Sequence, residues 1–73
     1  MRGRATFSAN ELHGIELTLG QLARSDGRSR RDLQERLRSR YRFYVSDFVR
    51  RGARLTVDEV ERLVAQGVIR VHT

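Results

Sequence analysis

The sequence predicts a mainly α-helical domain of three helices followed by a short C-terminal β-strand. Three positions carry serine or threonine followed three residues later by an acidic residue, which is the spacing of a helix-capping box. Apolar side chains then recur at intervals of three and four, the periodicity of an amphipathic helix. A short apolar and mostly β-branched run near the C-terminus predicts the strand. With 73 residues, residues 1–73 are expected to form a single small helical domain.

The first helix is predicted over residues 9–25. Ser8 and Glu11 have the spacing of a capping box at its start. Two glycines lower its helix propensity, and residues 15–19 alternate like a strand, but a helix is the favoured interpretation. Its predicted apolar stripe consists of Leu12, Ile15, Leu19 and Leu22.

The composition of residues 25–28 predicts a turn, with its glycine free to adopt a positive φ. The second helix is expected to begin at Arg30, and its apolar stripe favours one long helix to about Val49. The aromatic and β-branched content of residues 41–45 also suits a strand, so a break near Arg40 is the alternative. The stripe consists of Leu33, Leu37, Tyr41, Tyr44 and Phe48.

The third helix is predicted over residues 57–66, after a capping box that begins at Thr56. Gly67 has the position of a left-handed helix stop. Residues 68–71 then predict the strand. This strand would pair with residues 4–7 or with the aromatic segment, giving a minimal two- or three-stranded sheet, or would simply pack against the helices.

Several classes of site are excluded or disfavoured by the composition. Without cysteine there is no disulfide, thiolate metal site or cysteine nucleophile. His13 and His72 are far apart, and no nucleophile–base or acid–base constellation is present, so we expect no catalysis, no metal and no cofactor. No apolar run is longer than three residues, and no signal-peptide core follows the N-terminus, so we expect no membrane span and a cytoplasmic protein.

The charge is concentrated in the middle of the chain. All fifteen basic residues are arginines, and with nine acidic residues they give a net charge of +6. Residues 24–54 hold eleven arginines and four acidic residues, whereas residues 1–23 are neutral and residues 55–73 carry a net charge of −1. Guanidinium groups bind phosphate oxygens bidentately. This concentration indicates nucleic-acid binding.

Other interpretations of the charge remain open. The region could dock on an acidic protein partner, or it could be a solvated face in which Arg31 pairs with Glu35 and Arg36 with Asp32 at i,i+4 spacing. Exclusive use of arginine could also reflect a GC-rich genome.

Residues 18–37 resemble a helix-turn-helix motif, because Ala23 is followed four residues later by Gly27 and then by an apolar helical stripe. The resemblance implies that the second helix enters the major groove with its N-terminal residues on base edges. Arg31, Arg38 and Arg42 are expected on the helix face opposite the apolar stripe. A winged-helix-like variant would place residues 50–52 at the tip of a hairpin. The candidate nucleic-acid contacts are Arg24, Arg28, Arg30, Arg31, Gln34, Arg38, Arg42, Arg50 and Arg51.

We therefore expect a small non-catalytic DNA-binding regulatory protein that contacts the phosphates of duplex DNA. The alternative is a protein-interaction module, antitoxin-like or a regulatory subunit, whose basic helix docks on an acidic partner protein. Aromatic residues at 41, 43, 44 and 48 could stack unpaired bases, but their spacing favours burial. Because so short a chain builds a small core, a homodimer or an obligate partner is expected as often as a monomer.

Overall fold

Three helices and a two-stranded parallel sheet make up the fold, which confirms the predicted mainly α-helical class. The computed structural model describes residues 2–50 and 53–72. In chain order the elements are β1 (Thr6–Ser8), α1 (Ala9–Ala23), α2 (Gly27–Tyr41), a 3₁₀ turn (Val45–Asp47), α3 (Val57–Ala65) and β2 (Arg70–His72).

Helix α1 begins at the predicted capping box. The Ser8 hydroxyl accepts a hydrogen bond from the Glu11 backbone N–H at 3.1 Å, and the Glu11 carboxylate accepts from the Ser8 N–H at 2.9 Å. The helix ends at Ala23, two residues before the predicted end. A Cβ at Gly14 would overlap the hydroxyl of Tyr41. Glycine at this position therefore leaves room for the Tyr41 side chain against α1.

Helix α2 begins at Gly27, three residues before the predicted start at Arg30. Its N-cap is Asp26, whose carboxylate accepts from the backbone N–H of Ser29 at 3.0 Å. The expectation of a positive φ at Gly27 is wrong, because this glycine lies in the first helical turn. Aspartate is among the strongest N-cap residues, and its side chain satisfies a backbone donor that the predicted turn would have left to solvent.

The prediction of one long helix to Val49 is wrong. Helix α2 ends at Tyr41, and Arg42 adopts the left-handed conformation with φ 53° and ψ 38°. The Arg42 N–H donates to the Arg38 carbonyl at 3.0 Å, the hydrogen bond of a left-handed helix cap. The alternative of a break near Arg40 is confirmed, whereas the strand over residues 41–45 is wrong: a 3₁₀ turn begins at Val45.

Burial of Phe43 gives the physical reason for the break. On a continuous helix, Phe43 would lie about 100° away from the buried stripe of Leu33 and Leu37. The break rotates it into the core, where it is completely buried. Its ring lies 5.8 Å from that of Phe7 and 5.2 Å from that of Phe48, measured between centroids. The buried core consists of Phe7, Ile15, Leu19, Leu22, Leu33, Leu37, Phe43, Leu55, Val60 and Ile69.

Helix α3 and strand β2 close the fold near the C-terminus. Gly67 has a φ of 80°, as its predicted role as a helix stop requires. The Gly67 N–H donates to the Val64 carbonyl, and the Val68 N–H donates to the Leu63 carbonyl. These two hydrogen bonds form a Schellman motif. Strand β2 then pairs in parallel with β1 in the register Thr6 to Arg70.

Of the alternatives left open for this strand, pairing with the N-terminal segment is confirmed. The paired strands are Thr6–Ser8 rather than residues 4–7 and Arg70–His72 rather than residues 68–71. The sheet of the described chain has two strands, because the aromatic segment does not join it. The winged-helix-like variant needed a strand at residues 41–45, which the structure does not contain. Two residues of its proposed tip, at positions 51 and 52, lie outside the described residues.

Replacement of Arg42 by glycine tests the left-handed turn. We expect Arg42→Gly to raise the free energy of unfolding by about 1 kcal/mol, because glycine avoids the steric penalty that other residues carry in this conformation. The matched control is Arg40→Gly in the last turn of α2, which should lower it by about 1 kcal/mol. Urea unfolding followed by circular dichroism measures both. A loss of stability at position 42 as large as that at position 40 would contradict the left-handed turn.

Candidate nucleic-acid interface

Helix α2 carries five of the nine predicted contact residues, namely Arg28, Arg30, Arg31, Gln34 and Arg38. Arg24 caps the end of α1, Arg42 caps the end of α2, and Arg50 follows the 3₁₀ turn. Arg51 lies outside the described residues. The side chains of Arg30 and Gln34 are half-buried, and the other described members are exposed.

One flank of α2 brings four of these residues together. Arg30, Gln34 and Arg38 follow one another at intervals of four, and Arg31 lies beside them, so that all four fall within about 100° on the helix surface. We call these four residues the basic face. Arg42 does not belong to it, although Arg31, Arg38 and Arg42 were expected on one helix face. The left-handed turn removes Arg42 from the helix.

A groove of about 260 Å³ runs between the basic face and the segment that follows α2. Arg30, Gln34 and Arg38 line one side of it, and Arg50 lines the segment opposite. The remaining lining residues are apolar or uncharged: Phe43, Tyr44, Val45, Ser46, Val49 and Ala53. The structure thus gathers four of the predicted contact residues around one groove, which the sequence did not reveal.

The guanidinium groups of α2 are largely without acidic partners. Among residues 2–50 and 53–72, α2 forms one ion pair, between Arg38 and Glu35 at 4.0 Å. The expected i,i+4 pairs from Arg31 to Glu35 and from Asp32 to Arg36 are not formed in this part of the chain. The basic face is therefore not neutralised by its own helix.

Residues 24–54 contain two further carboxylates, those of Asp26 and Asp47, and both accept hydrogen bonds from backbone N–H groups. The hydrogen bond from the Ser29 N–H lowers the pKa of Asp26. For Asp47, burial raises the pKa, but hydrogen bonds from the Arg2 and Gly3 N–H groups outweigh it and leave the pKa below its ordinary value. Both side chains are thus ionised at neutral pH and already engaged away from the arginines.

Asp47 fastens the N-terminal segment to the 3₁₀ turn. Its two carboxylate oxygens accept from the Arg2 N–H at 2.8 Å and the Gly3 N–H at 2.9 Å. The neighbouring Arg4 N–H donates to the Arg42 carbonyl at 3.0 Å. This turn supplies the groove wall opposite α2. Sequence reasoning missed Asp47, because a contact across more than forty residues leaves no local spacing signal.

Phe43 is not available for base stacking. Its side chain has no exposed surface, and its ring stacks on that of Phe48. Tyr44 is half-buried and lines the groove. The large apolar side chains that are exposed lie elsewhere in the described chain, at Leu17, Val68 and Val71. The expected homodimer stays a prediction.

Within the described ranges, no three His, Asp or Glu residues cluster as a metal site would require. None of the helices in that part of the chain is long and apolar enough to cross a membrane. In comparisons with protein-family models, with curated proteins and with solved structures, nothing matches this chain. Function is therefore argued from the chemistry of its own residues.

Asp47→Ala tests the N-terminal fastening through its pH dependence. Because the folded-state pKa of Asp47 is lowered, its stabilisation is fully present above the unfolded-state value of about 3.9 and is lost as the pH falls through the folded-state value. The variant should therefore be less stable than the wild type at pH 7, and the difference should narrow in acid. Urea unfolding at several pH values measures it. Asp32→Ala, which removes an exposed carboxylate, is the control, and an equal, pH-independent loss in both variants would contradict the assignment.

Proposed function

We propose that this chain is a small non-catalytic DNA-binding protein, with a regulatory role, that contacts duplex DNA through the basic face of α2. The observation that carries the proposal is the set of guanidinium groups on one helix, which forms one ion pair within the described residues, between Arg38 and Glu35. The carboxylates of Asp26 and Asp47 are engaged by backbone donors instead. Phosphate oxygens are anionic groups that such planar donors bind bidentately.

The arrangement of the first two helices supports a docking geometry. Helix α1 leads through three residues, 24–26, into α2, as in a helix-turn-helix, and an α-helix fits the major groove of B-DNA. In this geometry Arg28 and Arg31 approach base edges, where arginine recognises guanine. Gln34 would recognise adenine in the same way.

Phosphate contacts come from residues at both ends of α2. Arg24 precedes the helix, and Arg42 and Arg50 follow it, so that together with Arg38 they flank any base contacts. Such contacts fix the position of the protein on the duplex and carry most of the affinity. A strong dependence of binding on salt follows.

A salt titration of duplex binding tests the proposal. If about six phosphates are neutralised, the logarithm of the binding constant should fall against the logarithm of the salt concentration with a slope of about −5. Fluorescence anisotropy with a labelled 20-base-pair duplex measures it. No measurable binding at low salt would overturn the proposal.

Two double variants with the same charge change locate the interface. Arg31→Glu with Arg38→Glu alters the basic face, whereas Arg62→Glu with Arg70→Glu alters exposed residues of α3 and β2. We expect the first pair to weaken duplex binding at least tenfold more than the second, because direct phosphate contacts are lost as well as net charge. Circular dichroism confirms folding of both. Equal losses would show that net charge alone drives binding and would contradict the assigned face.

A further inference from the structure

A second pocket lies next to the groove beside the basic face. This pocket, of about 150 Å³, lies between the C-terminal end of α1, α2 and residues 53–56. Arg30, Gln34, Val45 and Ala53 line both pockets, so the two are adjacent. We call this pair of neighbouring pockets on the flank of α2 the double groove.

Apart from Phe43 and Tyr44 in the first pocket, the apolar lining of the double groove is aliphatic. Val45 and Val49 line the first pocket, and Leu19, Leu22 and Leu55 line the second. Each pocket is smaller than the roughly 300–1,000 Å³ of typical small-molecule sites. Two small apolar pockets in succession suit two side chains of one extended segment.

The rim of the double groove is cationic. Arg30 and Arg38 lie on α2, and Arg50 and Arg54 lie on the segment that lines the opposite side of the double groove. Within the described residues, no aspartate or glutamate lines either pocket. The occupant that complements this surface therefore carries apolar side chains flanked by negative charges.

A peptide fits these features better than a nucleic acid. Single-stranded nucleic acids bind by stacking bases on exposed aromatic rings. The groove's phenylalanine, Phe43, has no exposed surface, and its one tyrosine, Tyr44, is half-buried. The other apolar lining residues are valine, leucine and alanine, so the groove offers no series of exposed rings for successive bases. Burial of aliphatic side chains provides the available binding energy.

We propose that the double groove binds an acidic peptide segment of a partner protein, which inserts two aliphatic side chains into the two pockets. This function is additional to DNA binding. Because Arg30, Gln34 and Arg38 belong to both surfaces, the acidic segment and the duplex compete for the protein.

Binding of synthetic peptides tests the proposal. The probes are three fluorescein-labelled dodecapeptides of aspartate and glutamate that carry two leucines spaced by two, three or four residues. Each has a counterpart with serine in place of both leucines. The best leucine peptide should bind at least tenfold more tightly than its serine counterpart, which corresponds to about 1.4 kcal/mol, because its two leucines bury apolar surface in the pockets. If no leucine peptide exceeds its counterpart, the proposal is overturned.

Variants separate the groove from the DNA-binding face. Val45→Thr makes the floor more polar without changing charge, and Ala23→Phe on the exposed end of α1 narrows the second pocket. Each substitution should weaken binding of the leucine peptide at least threefold and leave the affinity for duplex DNA unchanged. Arg31→Glu, at a position outside both pockets, should weaken binding of duplex DNA more than binding of the peptide. Unfolding curves confirm that the variants are folded.

Each outcome of these measurements has a separate meaning. Peptide binding that is unaffected by both Val45→Thr and Ala23→Phe would contradict the double groove. If single-stranded oligothymidylate bound more tightly than the peptides, with the same dependence on position 45, the ligand of the double groove would be a nucleic acid and the peptide proposal would be overturned. Leucine-dependent peptide binding without duplex binding would retain this inference and overturn DNA binding alone. Saturating peptide should also release bound duplex, and simultaneous binding of both would contradict a shared surface.

Discussion

The left-handed turn at Arg42 is the constraint on which the rest of the structure depends. It ends α2 after Tyr41 and rotates Phe43 into complete burial between Phe7 and Phe48. A non-glycine residue in this conformation costs about 1–2 kcal/mol. Complete burial of a phenylalanine side chain contributes about 1.5–3 kcal/mol, which offsets this cost. The packing of Phe43 therefore determines where the helix ends.

This turn also creates the surfaces around α2. The carbonyl of Arg42 receives the N–H of Arg4, and the 3₁₀ turn that follows receives the N-terminus through Asp47. With these two fastenings, the segment after α2 lies beside the helix and forms a groove with it. A continuous helix would have carried the same residues away from α2 and left its flank uncovered.

Features encoded by neighbouring residues could be predicted from the sequence, and features encoded by distant contacts could not. The capping box of Ser8 and Glu11 and the helix stop at Gly67 depend on residues a few positions apart, and both were predicted. The stripe that continues through Tyr44 and Phe48 concealed the break, because Phe43 is buried by residues far away in the chain. Arginine enrichment was evident, but the groove depends on tertiary packing.

Within the described residues, the basic face of α2 forms a single ion pair, between Arg38 and Glu35. The proposed function requires that α2 is the part of the chain that contacts duplex DNA. Backbone amide chemical-shift changes on addition of a duplex test this claim most directly. Changes centred on residues 27–42, with α3 little affected, are the predicted result. Changes centred on α3 or β2, or none at low salt, would contradict it.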